Sequence, residues 1–247
     1  MRNIWTIAHR EYKLYFANPV AYIMAFVILA ALGVFFFLNL TYAEQSLGQV
    51  PPPGVQIVTD LIVFLLVFIC PAVTMRSISE ELRLGTMELL LTAPVKDWEM
   101  VIGKWLGAWL FVLTIVVVTL IYPILLNILE SPGIDKGPLI TGYLGILLIT
   151  ACFLALGVAI STFFSNQVAT FITTFGILFI GWWLFRIAAQ IASPSAAAVL
   201  NYLDLSGHFY NSLIDGVIQL NDVVYYLSVT ALALFAGTLS VEMRRWR

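Results

Sequence analysis

The sequence predicts an all-α integral membrane protein with six transmembrane helices, and three observations carry that expectation. Of 247 residues, 61% are hydrophobic and only 11% are charged, with a mean hydropathy of +0.97. The apolar residues come in long unbroken runs rather than at amphipathic spacing. Crossing about 30 Å of hydrocarbon takes about 20 mostly apolar residues in a helix, because every backbone polar group must be satisfied within the segment. Six stretches reach that length, about 20–40, 57–75, 100–129, 139–164, 168–189 and 223–241.

Residues 1–19 precede the first span and have two faces. Trp5, Ala8, Tyr12, Tyr15 and Phe16 recur at spacings near three and four, while Thr6, His9, Arg10 and Lys13 share the opposite side. Such a helix suits a membrane interface, with Trp5, Tyr12 and Phe16 among headgroups and Arg10 and Lys13 toward anionic lipid. A plain topology anchor explains the basic residues equally well. Pro19 ends the helix and turns the chain into the bilayer. The N-terminus lacks the apolar core and small-residue cleavage site of a removable signal, so the first span is expected to be retained.

Lys and Arg set the expected orientation. With both termini in the cytoplasm, ten of the 12 basic residues fall inside and only Lys136 and Arg186 outside. This makes a multi-pass protein of the cell membrane, plasma or inner. The outer connections differ in kind. Residues 41–56 contain the stiff "VPPPG", and 130–138 form a short turn-rich link. The outer loop 190–222 ends in the semi-apolar "NYLDLSGHFYNSLIDGVIQLND", which suits one or two short helices lying on the outer leaflet or dipping into it. Asn221 or Asp222 is placed to cap the last span. No internal repeat supports the inverted-repeat plan of many secondary carriers, and residues 1–247 read as a single transmembrane domain.

Several chemistries are excluded. No G-x-x-x-x-G-K-[ST] occurs, since Gly103–Lys104 is followed by Trp105, so no phosphate-binding loop of that type is present. There is no H-E-x-x-H, and the histidines, His9 and His208, fall on opposite sides of the membrane, which leaves no metal site. Cys70 and Cys152 lie in apolar runs and read as small buried hydrophobes. A net charge of −2 with scattered basic residues gives no nucleic-acid surface. Within the spans, Asp60 and Arg186 sit at similar depth near the outer face. They either form a buried ion pair or snorkel separately to the interface.

Charge concentrates between spans two and three, in a cytoplasmic segment 76–99. Ser77 with Glu80 has capping-box spacing, Gly85 suits a left-handed helix end, and Thr86 can cap a second short helix over 87–92 that Pro94 stops. Asp97 can cap the third span, with Glu99 in its first turn. Glu80, Glu81, Arg83 and Glu88 alternate with six large apolar residues, among them Leu90 and Leu91. Two readings fit that mixture, a docking element for another protein or a surface helix with no partner.

The run Glu81-x-Arg83-x-Gly85-Thr86-x-Glu88-x-Leu90-Leu91-x-x-Pro94-Val95, followed by Gly103–Lys104, resembles the cytoplasmic signature of ABC-2 type transporter permeases. "HREYKLYFANPVAYI" is similar to that family's N-terminal amphipathic helix. "HFYNSLIDGVIQLNDVVYYLSV" is similar to the outer loop and last span of its gliding-motility-type branch, with His208, Gly216 and Asp222 matching the pattern. The resemblance implies a non-catalytic permease subunit of an ATP-driven exporter. It implies a coupling helix docking on a separate ATPase subunit, present in two copies, that binds ATP and Mg. It also implies a second permease subunit, identical or related. Glu80, Glu81, Arg83, Gly85, Thr86, Glu88, Leu90, Leu91 and Pro94 would lie in or beside the ATPase contact. The alternatives are an ATPase-independent carrier or a membrane assembly factor.

Overall fold

The computed structural model describes residues 2–46, 54–86, 95–129 and 133–245, and those residues contain helices and no strand. Six helices are long and apolar enough to span a membrane: Ala21–Gln45, Val55–Leu84, Asp97–Leu129, Lys136–Ser161, Gln167–Ile191 and Leu220–Arg244. The chain opens with α1 (Arg2–Ala17), α2 (Pro19–Gln45), α3 (Val55–Thr74) and the short α4 (Ser79–Leu84). The third span is divided into α5 (Asp97–Val118) and α6 (Ile121–Leu129), and α7 (Lys136–Ser161) follows. The fifth span consists of α8 (Gln167–Phe179), a π-helical turn (Ile180–Leu184) and α9 (Phe185–Ile191). After it come α10 (Pro194–Leu203), α11 (Gly207–Tyr210), a 3-10 turn (Leu213–Asp215) and the last span, α12 (Leu220–Arg245).

The centre of the bundle is α7, with 78% of its apolar window buried, against 17% for α2, which lies at the periphery. Small residues on α7 let its neighbours approach closely. A Cβ on Gly157 would lie 2.8 Å from Thr74 Cβ of α3, and one on Gly145 would lie 2.8 Å from the Phe209 ring. Cys70 and Cys152 are both free and fully buried in the main core, as their apolar surroundings required. At the end of the bundle that carries both termini, Ile78, Met100, Val101, Val158 and Val241 close a separate apolar cluster.

Several local expectations are corrected. The third span breaks at Thr119–Leu120 because Pro123 has no N–H for the Thr119 carbonyl, and Thr119 Oγ1 turns back to Val116 O at 2.6 Å. Ser77 forms no capping box. Its hydroxyl has no partner, and α4 starts two residues later with Ile78 at the N-cap. Asp97 lies inside α5 rather than capping it. The reciprocal bond comes from Glu99, whose Oε2 accepts from Lys96 N at 3.2 Å. Asp222 likewise lies within the first turn of α12, where its carboxylate has other partners. Gly85 does end α4 in the left-handed region, at φ 70°. The second short helix expected over 87–92, with Glu88, Leu90, Leu91 and Pro94, lies outside the described residues.

Candidate functional site

The site is assembled at the end of the bundle that carries the termini, where α1, α4 and α5 meet. Together the two helices of the third span cover 33 residues, about 50 Å at the helical rise against about 30 Å of hydrocarbon, so the span is longer than the apolar layer requires. Along its first turns α1 packs in the same chain direction. Asn3 Nδ2 donates to Glu99 Oε2 at 3.1 Å, and Tyr12 Oη lies 3.2 Å from Thr114 Oγ1. Between those contacts the spacing Gly103-x-x-x-Gly107 removes side chains from one stripe of α5. A Cβ on Gly103 would fall 2.8 Å from Ile7, and one on Gly107 would fall 2.9 Å from the Ala8 carbonyl.

That close approach changes the role of α1. Tyr15 stacks on Phe111 with ring centroids 4.9 Å apart, and Phe16 meets the same ring edge-on at 5.3 Å. Much of the aromatic face of α1 therefore covers protein, although Trp5 stays 59% exposed. Arg10 and Lys13 are exposed on the opposite side, as their spacing required. Tyr15 Oη donates to Val73 O at 3.2 Å. Burial, with the Glu11 carboxylate second, holds its phenol above the ordinary range, so it acts as a fixed donor.

Lys104 lies beside the two glycines and is 4% exposed. Its ammonium donates to Glu11 Oε1 of α1 at 3.0 Å, to Glu81 Oε1 of α4 at 2.8 Å and to Ser77 O at 2.9 Å. All three N–H donors are thereby used. Two carboxylates and a backbone carbonyl surround the buried ammonium. One residue thus fastens three elements, and Glu81 comes from the segment where charge concentrates in the sequence. Glu80 pairs with Arg83 at 3.4 Å on the exposed side, and Thr86 Oγ1 turns toward Glu81 O at 3.5 Å. Glu11 and Lys104 were absent from the expected site. The signal for them was the small-residue spacing that brackets Lys104 and the single acidic residue in an otherwise basic α1.

The opposite end carries the residues expected in the outer loop. Phe209 and Leu213 are fully buried in the core, and Thr141 Oγ1 donates to Leu213 O at 2.6 Å, so this segment plugs into the bundle. His208 Nδ1 lies 2.7 Å from Asp222 Oδ1, and its Nε2 donates to Tyr202 O at 3.1 Å. The His208 ring stacks on Tyr225 at 3.9 Å, and Ser212 Oγ donates to Asp222 Oδ2. Gly216 ends the 3-10 turn at φ 91°. Of the two alternatives for Asp60 and Arg186, the buried ion pair does not form. Asp60 Oδ1 is buried without a partner, and the Arg186 guanidinium sits 5.9 Å from the centre of the Tyr210 ring. Tyr210 is near both groups. Burial pushes its phenol up to about 12, Asp60 adding to the shift and Arg186 opposing it.

Six apolar helices, one of them central to the bundle, with a charged joint at one end and an inserted loop at the other, define a multi-pass membrane protein with no catalytic constellation among the described residues. The chain matches the ABC-2 family transporter protein model over residues 41–241 and belongs to that family. That family is a membrane transport component. No curated protein matches the chain.

Proposed function

We propose that the chain is the transmembrane permease subunit of an ATP-driven ABC transporter working as an exporter. The observation that carries this reading is the Lys104 joint. It fastens Glu81 of the charged segment to α1 and to the third span through contacts of 2.8 and 3.0 Å. A segment loosely tethered to its spans cannot move them. One clamped by a buried ammonium and two carboxylates acts as a rigid lever. On this reading residues 79–94 dock on a separate ATPase subunit, which holds ATP and Mg, and two such subunits drive a pair of permeases in the cell membrane. Their closure on nucleotide displaces α4, and Lys104 passes the displacement to α1 and α5. The permease supplies no catalysis, only contacts that differ between transport states.

The test is co-purification with a candidate ATPase subunit. Glu88→Arg and Leu90→Asp are expected to abolish the complex. Lys104→Met is expected to retain the complex while uncoupling hydrolysis from transport. If Glu88→Arg and Leu90→Asp both keep full ATPase binding and coupled hydrolysis, the docking assignment is wrong.

A further inference from the structure

Beside the Lys104 joint lies a cavity of about 300 Å³ between α1 and the turn into α4. Its polar lining comes mainly from Arg76, Ser77, Glu80, Glu81 and Lys104. Two of these residues carry a buried atom with no hydrogen-bond partner, Ser77 Oγ and Glu81 Oε2. Ser77 is only 6% exposed. A buried hydroxyl and a buried carboxylate oxygen left unpaired mark a place where a donor belongs. Lys104 is not that donor, because its three N–H groups are already committed to Glu11, Glu81 and the Ser77 carbonyl.

Charge narrows the choice. Glu80 is already paired with Arg83, so Glu11 and Glu81 share the single ammonium of Lys104, which leaves one net negative charge at the joint. A primary ammonium supplies both the donors and the compensating charge. Arg76 is exposed at the rim, has no ion pair among the described residues, and suits a phosphate. Tyr15 fixes the level. It reaches Phe111 and Val73, where α5 and α3 lie in their apolar runs, while Leu14 beside it is 50% exposed. An ammonium, a phosphate and an apolar stem within this reach belong together in one kind of molecule at a membrane surface.

We infer that this cavity binds the headgroup of an ethanolamine phospholipid, with the ammonium on Ser77 Oγ and Glu81 Oε2 and the phosphate on Arg76. The lipid is a resident of the joint rather than cargo, so this goes beyond the permease reading. Native mass spectrometry of the purified full chain tests it, using dioleoyl phosphatidylethanolamine and the choline lipid with the same acyl chains. Retention of the ethanolamine lipid is expected to exceed that of the choline lipid by about tenfold, the equivalent of one charge-assisted hydrogen bond. Ser77→Val replaces the hydroxyl with a methyl and adds bulk beside it and should erase the preference, and Ser77→Ala should reduce it without adding volume. Arg76→Gln should lower retention of both lipids. Melting of the lipid-free variants shows whether they remain folded.

Equal retention of the two lipids, or an unchanged preference in both Ser77 variants, overturns the inference. Displacement by soluble glycerophosphoethanolamine at equal concentration overturns the lipid assignment in favour of a free amine. If Ser77→Val keeps the lipid preference but loses the candidate ATPase, the cavity belongs to a protein contact. In that case the lipid inference fails while the permease reading stands.

Discussion

At one end of the bundle Lys104 draws Glu11, Ser77 and Glu81 from 93, 27 and 23 positions away; at the other, Asp222 draws His208 and Ser212 from 14 and 10 positions away. The Asp222 cluster draws its partners from one loop and the helix that it feeds. The Lys104 cluster exists only while α1, α4 and α5 keep their mutual positions. The outer cluster also uses both oxygens of its carboxylate, whereas the inner one leaves Glu81 Oε2 unpaired. The difference separates a closed fastening from a joint with capacity left for another molecule.

Four substitutions sharpen or break this contrast. Phe209→Ala empties the fully buried anchor of the outer loop and should cost about 4 kcal/mol in thermal unfolding of the detergent-solubilised protein. A loss below about 1 kcal/mol would mean that the loop merely rests on the bundle. Lys104→Met should cost about 3 kcal/mol, because it leaves two carboxylates facing each other around a buried apolar side chain. Adding Glu81→Gln to Lys104→Met should recover part of that loss. No recovery would show that packing rather than charge dominates the joint.

Asp222→Asn keeps the shape of the outer cluster but removes its charge, and should cost about 1.5 kcal/mol. A double-mutant cycle with His208→Gln should give a coupling near the same size, and additive losses would remove the pair as a unit. Arg83→Gln breaks an ion pair that is 57% and 37% exposed and should change unfolding by no more than about 0.5 kcal/mol. A larger loss would place Arg83 in the framework of the joint instead of on its outer surface.

The six spans were legible because a helix in hydrocarbon announces itself through length and composition alone, and the resemblance carried by the run from Glu81 to Pro94 led to the family. Gly85 was legible because few other residues tolerate its backbone conformation. The capping expectations at Ser77, Asp97 and Asp222 failed for a shared reason. A side-chain oxygen near a helix start has a local partner available, and sequence spacing cannot register a competing partner or a shift of the helix start. Lys96 N took the Glu99 carboxylate, His208 and Ser212 took Asp222, and α4 began beyond Ser77.

Asp60 and Arg186 share a depth that the sequence determined, but Tyr210, folded in from the loop, takes the guanidinium. In the same way the sequence set α1 apart as amphipathic, while only the tertiary structure decided that its aromatic face would meet α5 over Gly103 and Gly107. Periodicity states which side of a helix avoids water; it does not state whether lipid or protein covers that side. Glu11 came to Lys104 through that packing, and the joint therefore belongs to the tertiary structure.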